Sequence, residues 1–182
     1  MVRPRVQISA EALYFATSNE NKLQEAREVL GEELQQIVLD VEEVQSMDEE
    51  FVALSKLRAA KKHVNKPFFV EDVSLRAQAL NGLPGPFIKY FVKNLSRKEL
   101  VDTLQGPAQA VCTLAYWDGA DEHVVQGVID GAIVAPRGEG WGFSALFEHE
   151  QLKKTFAEFS EEERLRYTHR SVALRKLQAI LQ

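Results

Sequence analysis

A single cysteine, Cys112, stands in a chain of 182 residues, so no disulfide can form within it and cysteine usage points to no oxidising compartment. Long apolar runs are missing too. No stretch approaches the length that crosses a bilayer, and Met1-Val2-Arg3-Pro4-Arg5 leads into no apolar run of the signal-peptide kind. Basic residues do not prevail: 22 lysines and arginines face 27 aspartates and glutamates, a net charge of −5. That balance speaks against nucleic acid as a partner, because backbone binding normally needs a basic face. A small phosphorylated ligand is still compatible, since a few well-placed lysines and a metal ion hold a triphosphate on an acidic protein. Internal repeats, low-complexity tracts, a Walker-type loop and a Ser/His/Asp order are also absent. These absences leave a soluble, cytoplasmic protein as the expectation, with neither membrane nor nucleic acid among its partners.

What is present suits one domain over residues 1–182, compact or in two lobes: 45% of the residues are apolar and charge is spread along the chain. Residues 12–17 predict a short buried strand. A helix is predicted from about Asn19 to Leu30, with Leu23, Ala26 and Leu30 on one face and Gly31 as its stop. Residues 36–41 read as a second strand and about Asp48 to Val64 as a second helix. Phe68-Phe69-Val70 reads as a third strand, ended by the acidic pair Glu71-Asp72. Asn81-Gly82-Leu83-Pro84-Gly85-Pro86 is a dense turn signal, after which Pro86 can open a helix to about Leu95. Residues 109–117 and 122–134, parted by Asp118-Gly119-Ala120-Asp121, have the pattern of a long antiparallel hairpin. A Gly-rich loop follows from Arg137 to Gly142. Ser160 to Glu163 has capping-box spacing for a short helix. The C-terminal helix is expected from about Ser171 to Leu181, with Ala173, Leu177 and Ile180 inward. Strands and helices alternate early and a hairpin follows, which predicts an α/β fold with a mixed sheet.

Four places carry residue types that chemistry needs. At Thr17-Ser18-Asn19-Glu20-Asn21-Lys22, small polar residues meet a predicted helix start, whose free N–H groups can face an anion. Lys22 opposes the helix dipole there, a conflict that a bound anion removes; an ordinary N-cap with a solvated lysine reads the same way. Lys56 lies at the edge of the stripe formed by Ala53, Leu57, Ala60 and Val64, while Arg58 and Lys62 point away. It either snorkels outward or reaches a phosphate or carboxylate in a cleft. Glu71-Asp72 and Glu42-Glu43 each follow an apolar strand, and ligands of α/β sheets gather beyond strand carboxyl ends. Alternation turns one of each pair to a given side, and Mg²⁺ asks for one or two carboxylates; solvated charge at strand ends is the plain alternative. Thr168-His169-Arg170, ahead of the last helix, can offer donors to a base carbonyl or a phosphate, or be a surface pair. His63, His123 and His149 lack metal-ligand spacing, and Cys112 reads as a core residue.

Taken in this order, the segments resemble the inosine triphosphate pyrophosphatase family over about residues 13–178. Phe15 to Lys22 looks like its opening Thr-Gly-Asn-x-x-Lys loop. Val70-Glu71-Asp72 with Ala79 to Phe91 carries its most specific signature. Lys56 and Glu43 match its lysine and its metal-binding glutamate, and Lys154 to Glu158 and Thr168-His169-Arg170 complete the pattern. The resemblance implies a long twisted mixed sheet flanked by helices, two lobes around a central cleft, and a homodimer. It implies Mg²⁺-dependent hydrolysis of non-standard purine triphosphates (ITP, XTP, dITP) to NMP and pyrophosphate. By the same resemblance Lys22, Lys56 and the Thr17, Ser18, Asn19 loop would hold the triphosphate. Glu43 and Asp72 would hold Mg²⁺, with Asp72 also positioning or deprotonating the attacking water, so Asp72 and Lys56 are the catalytic candidates. Lys89 belongs to the signature helix, and His169 and Arg170 would read the oxygen at the purine 6-position.

The departures gather on one side. The family's Gly-Phe-Gly-Trp/Tyr-Asp-Pro-x-Phe appears as Gly140-Trp141-Gly142-Phe143-Ser144-Ala145-Leu146-Phe147. Trp141 and Phe143 can still stack on a base, but Ser144 removes a carboxylate. Arg164-Leu165 stands for Lys-Asn, and Arg164 keeps the charge with another hydrogen-bond geometry. Thr168 replaces Ser, Ser18 replaces Gly and Val73 replaces a hydroxyl residue. The phosphate and metal side is nearly intact and the base side altered. Two alternatives therefore stand beside the main expectation: the same chemistry with a shifted nucleotide preference, and a nucleotide-binding regulatory protein with little turnover.

Overall fold

The first half of the chain alternates strand and helix because its apolar residues alternate between short continuous runs and 3.6-residue stripes. The computed structural model describes residues 12–182. It has β1 (Tyr14–Ala16), α1 (Glu20–Leu30), β2 (Gln35–Ile37), α2 (Glu49–Lys61) and β3 (Phe68–Ala77). There follow β4 (Pro84–Gly85), α3 (Ile88–Asn94), α4 (Arg97–Leu104), β5 (Gly106–Trp117), β6 (Glu122–Ile133), β7 (Phe147–His149), α5 (Glu161–Tyr167) and α6 (His169–Leu181). The seven-stranded sheet has the order β2-β1-β3-β5-β6-β7, with β4 added to β3. β1 is parallel to β2 and β3, and the remaining pairs are antiparallel. This is the mixed α/β fold, helices flanking the sheet, that the sequence predicts. Among the described residues no helix is long and apolar enough to cross a membrane.

Alternation along β3 deals its side chains to two faces. Phe69 joins Phe15, Leu23, Cys112, Leu114, Ala173 and Leu177 in the core under α1 and α6. Phe68 and Val70 join Ala53, Leu57 and Ala60 under α2. Farther along, Leu75 and Ala77 enter a third core with Ile88, Leu100, Phe147 and Phe156. The close approach of α6 to β6 depends on Gly127. A Cβ there would stand 2.0 Å from the His169 carbonyl oxygen and 2.6 Å from the Ala173 nitrogen. Any side chain at that position pushes the first turn of α6 off the sheet.

Several expectations need correction. Glu71-Asp72 does not end β3; the strand runs on to Ala77, paired with β5 from Phe68↔Trp117 to Ala77↔Ala108. A buried carboxylate is tolerated mid-strand because Arg170 and Lys22 neutralise Glu71 there. The strand expected over 36–41 is only Gln35–Ile37, so Glu43 lies in an irregular segment, not at a strand end. The first strand likewise shortens to Tyr14–Ala16. Pro86 stays in the turn and α3 begins at Ile88. α4 and β7 were not among the predicted elements, although α4 has a capping box between Ser96 and Glu99. Finally, α6 starts before Ser171. Thr168 Oγ1 accepts from the Ser171 N–H at 3.1 Å, which makes Thr168 the cap and puts His169 and Arg170 inside the first turn.

Candidate active site

The segment after β1, the middle of β3 and the start of α6 meet around a cavity of about 590 Å³. One end of its wall is charged, with Asn19, Lys22, Glu43, Lys56, Asp72 and Lys89. Thr17 and Ser18 do not line it. Thr17 instead shapes the loop: its Oγ1 accepts from the Asn19 N–H at 3.1 Å. Asn19 then caps α1, its Oδ1 accepting from the Lys22 N–H at 3.2 Å. Lys56, carried by α2, donates from Nζ to Glu43 Oε1 at 2.8 Å and to the Glu71 carbonyl oxygen at 3.3 Å. Lys89, from the first turn of α3, pairs with the other oxygen of Glu43. Glu43 therefore sits between two ammonium groups.

The adjacent carboxylates of β3 face opposite ways and have their pKa values shifted in opposite directions. Glu71 is buried, which raises a carboxyl pKa, but Arg170 and Lys22 outweigh burial and hold it well below the carboxylate range. Asp72 has less help. Burial pushes its pKa up to about 6 against the pull of Lys56 and Lys22, and its buried Oδ2 has no hydrogen-bond partner. Burial also lowers the Lys56 pKa, opposed by Asp72 and Glu71. The described residues contain no cluster of three or more acidic, His or Cys side chains able to hold a metal by themselves. Asp72 and Glu43 nonetheless fit a hard divalent cation that takes one or two protein carboxylates and fills its shell from water and phosphate oxygens. The orphaned oxygen of Asp72 marks where positive charge is lacking.

The other end of the cavity is aromatic, with Trp141, Phe143, Ser144, Arg164, His169 and Arg170. His169 lies parallel to Phe156 at 5.5 Å between ring centroids and 5.7 Å from Phe143. Both its ring nitrogens are buried without partners. Burial first, then Arg170, lowers its pKa to about 3, so the ring is neutral and offers one donor and one acceptor. Arg170 is only 3% exposed. Its Nε and Nη2 donate to Glu71 at 2.8 and 3.0 Å, and its Nη1 to Glu25 at 2.5 Å. The indole of Trp141 lies 5.1 Å from that guanidinium. Ser144 spends its hydroxyl on its own turn, donating to the Trp141 carbonyl at 2.7 Å, and Arg164 donates to the Phe159 carbonyl at 3.4 Å.

The structure thus brings together every candidate from the sequence except Thr17 and Ser18, and it adds Glu25 and Phe156. Glu25 stands three residues after Lys22 on α1, the spacing that shares a helix face, and that signal was available. Glu71 is not a second metal carboxylate, because both its oxygens are committed to Arg170 and Lys22. A polyanion would meet the ammonium groups, a planar group would meet the rings, and Asp72 stands at the charged end with an uncommitted carboxylate oxygen.

Comparison with known proteins identifies the family. Residues 13–180 match the model of the Ham1 family. The chain is 44% identical to an inosine triphosphate pyrophosphatase of Yarrowia lipolytica, over 93% of this chain and 95% of that one. With an inosine triphosphate pyrophosphatase of Schizosaccharomyces pombe the identity is 35%, over 94% and 96%. Among solved structures, the Ham1 protein of Staphylococcus aureus is similar with a TM-score of 0.78 at 28% identity, over 94% of this chain and 98% of that one. The chain belongs to the Ham1 family.

Proposed function

We propose that this protein is a Mg²⁺-dependent pyrophosphatase that hydrolyses non-standard purine nucleoside triphosphates, ITP, XTP and dITP, to the monophosphate and pyrophosphate. The relatives' names supply the substrate class, and one observation carries the chemistry: a single cavity sets an under-neutralised carboxylate, Asp72, among ammonium groups at one end and a neutral histidine among aromatic rings at the other. In the same reading the chain works as a two-lobed single domain, in the cytoplasm, as a homodimer. Sedimentation at twice the 20.6 kDa chain mass checks the dimer.

Lys22, Lys56 and Lys89 would carry the triphosphate, with Asn19 beside them. Their charge offsets the negative charge that builds on the departing pyrophosphate. Glu43 and Asp72 would hold the Mg²⁺, which supplies further charge neutralisation at the phosphate oxygens. Asp72 orients the attacking water and takes its proton on the carboxylate. The water oxygen bonds to the α-phosphorus in line, the bond from that phosphorus to the α,β-bridging oxygen breaks, and pyrophosphate leaves with that oxygen. No covalent nucleophile is needed, and Cys112, buried in the sheet with its thiol pKa pushed far up, supplies none. At the other end Trp141 and Phe143 flank the base, and the N–H of His169 meets the oxygen at the purine 6-position. Adenine presents an amino group there.

Pyrophosphate release measured across ITP, XTP, dITP, ATP and GTP with Mg²⁺ tests the reading. Turnover of ITP, XTP and dITP well above ATP is the result expected of a donor at the 6-position; guanine carries the same 6-oxygen, so any discrimination against GTP would read its 2-amino group instead. Equal rates for ITP and ATP would end base selection at His169. A shifted preference within the same chemistry has one specific observation in its favour: the donors of Arg170 are taken by Glu71 and Glu25, leaving fewer of them to discriminate bases. Binding of every triphosphate without turnover would instead favour a regulatory protein.

A further inference from the structure

One buried carboxylate outside the proposed metal pair touches both ends of the cleft. The Glu71 side chain is 1% exposed. Its Oε1 receives the Lys22 ammonium at 3.1 Å and Arg170 Nη2 at 3.0 Å, and its Oε2 receives Arg170 Nε at 2.8 Å. Arg170 in turn holds Glu25 and lies under the Trp141 ring. Two cations and two carboxylates balance, as buried charges must.

We propose that Glu71 is a positioning residue that couples the phosphate end to the base end: Lys22 and Arg170 share its Oε1, so occupation of Lys22 by phosphate is felt at Trp141. The proposal rests on the reading of Lys22 as a phosphate ligand. When a triphosphate draws Lys22 away, Oε1 is left to Arg170 alone. The guanidinium then meets Glu71 as an undivided bidentate pair, a stronger and more directional contact. Its place under the Trp141 ring changes with it, because the attraction between cation and ring depends on their separation. An ion pair that served the fold alone would hold Arg170 in the same place whether Lys22 was engaged or not.

The test uses a reporter already in the site. The chain has two tryptophans, and Trp117 packs against Phe68 and Lys61 away from the cleft, so Trp117→Phe leaves Trp141 as the sole emitter. Inorganic tripolyphosphate with Mg²⁺, which has no base to touch Trp141, is titrated while emission and binding heat are followed together. A change in Trp141 emission that saturates along the binding isotherm is expected. In a Glu71→Gln background binding should persist within about tenfold while the emission change falls at least threefold. Should Glu71→Gln fail to fold, Glu71→Asp serves the same comparison, keeping the charge on a side chain too short to span both partners. Binding that leaves Trp141 emission unchanged overturns the coupling and spares Lys22 as a phosphate ligand. An emission change of full size in a folded Glu71 variant overturns the coupling as well. No binding of tripolyphosphate overturns both.

Discussion

The charged end of the cleft and the aromatic end treat their polar groups in opposite ways. Lys56, Glu43 and Lys89 are partly exposed and engaged with one another, so an incoming phosphate or cation exchanges one ionic contact for another at little cost. Arg170 is buried and committed to two carboxylates, and withdrawing a buried charge from its partner costs several kcal/mol. In the proposed reading the first arrangement is a binding surface, and the second is scaffolding that meets the phosphate end only through Glu71. At the base end the buried polar atoms without a partner include both ring nitrogens of His169. The difference supports the proposed division of labour, in which reaction chemistry would lie where charge is exchangeable and base selection with a neutral ring and its aromatic neighbours. Each prediction below presses on one side of that contrast.

The largest effect is expected at Asp72. Replacing it by Asn keeps shape but removes the proton acceptor, and turnover of ITP should fall about 10³-fold, within the usual contribution of a positioned general base. Binding of tripolyphosphate, followed by calorimetry without turnover, should change far less. Activity within tenfold of the parent would take Asp72 out of the mechanism.

Next comes a pH effect on stability in which the two ends oppose each other. His169 has an ordinary pKa of 6.5 and one of about 3 in the fold. The unfolded chain binds that proton first, so the stabilisation is complete above 6.5 and is lost as pH falls towards 3. Asp72 moves the other way, from 3.8 to about 6. The folded protein binds that proton first, so the cost of burying the charge is complete above 6 and is relieved as pH falls towards 3.8. Between about pH 4 and 6 the two slopes, each about 1.4 kcal/mol per pH unit, cancel. In chelator-treated protein Asp72→Asn should lose stability steeply on acidification, and His169→Phe should not. Urea midpoints across that range read the difference: an Asp72→Asn curve parallel to the parent's would show that Asp72 titrates normally, and a His169→Phe curve parallel to the parent's would show the same of His169.

A third prediction tests the base end alone. His169→Phe should reduce the preference for ITP over ATP in kcat/KM about tenfold, the worth of one neutral hydrogen bond, with tripolyphosphate binding unchanged. If the preference survives, selection resides in Trp141 and Phe143.

How much of this was legible in the sequence depended on how local each cause is. Helix caps at Asn19, Asp48, Ser160 and Thr168 are written in adjacent residues; α1 and α5 are legible from such signals, and α2 from the stripe of Ala53, Leu57, Ala60 and Val64. The Ser96–Glu99 box that starts α4 is equally local, but the run from Pro86 to Leu95 before it drew attention to a different helix. The continuation of β3 through Glu71-Asp72 could not be seen nearby, because the guanidinium that neutralises Glu71 comes from 99 residues further on. Lys56 is legible from its place at the edge of an apolar stripe and Glu43 from an acidic pair after an apolar run, and the family pattern then selects both. That Lys89 shares Glu43 with Lys56 follows only from how an irregular segment lies against two helices. Ser144 looked like a lost charge in the base site, whereas its hydroxyl closes the turn that carries Trp141.

The smallest predicted effect separates two duties that meet in one side chain. Asn19 caps α1 and also lines the charged end of the cavity. Asn19→Ala removes the cap and should cost about 1 kcal/mol of stability, read as a lower urea midpoint. Asn19→Asp caps equally well and adds favourable charge at the helix N-terminus, so stability should hold. The same negative charge faces the site of the triphosphate, and tripolyphosphate binding should weaken, more so at low ionic strength. If Asn19→Asp binds tripolyphosphate like the parent, the loop after β1 shapes the helix start without touching phosphate. The charged end of the cleft then reduces to Lys22, Lys56 and Lys89, and the Thr17 to Asn19 loop belongs with Arg170 among the scaffolding.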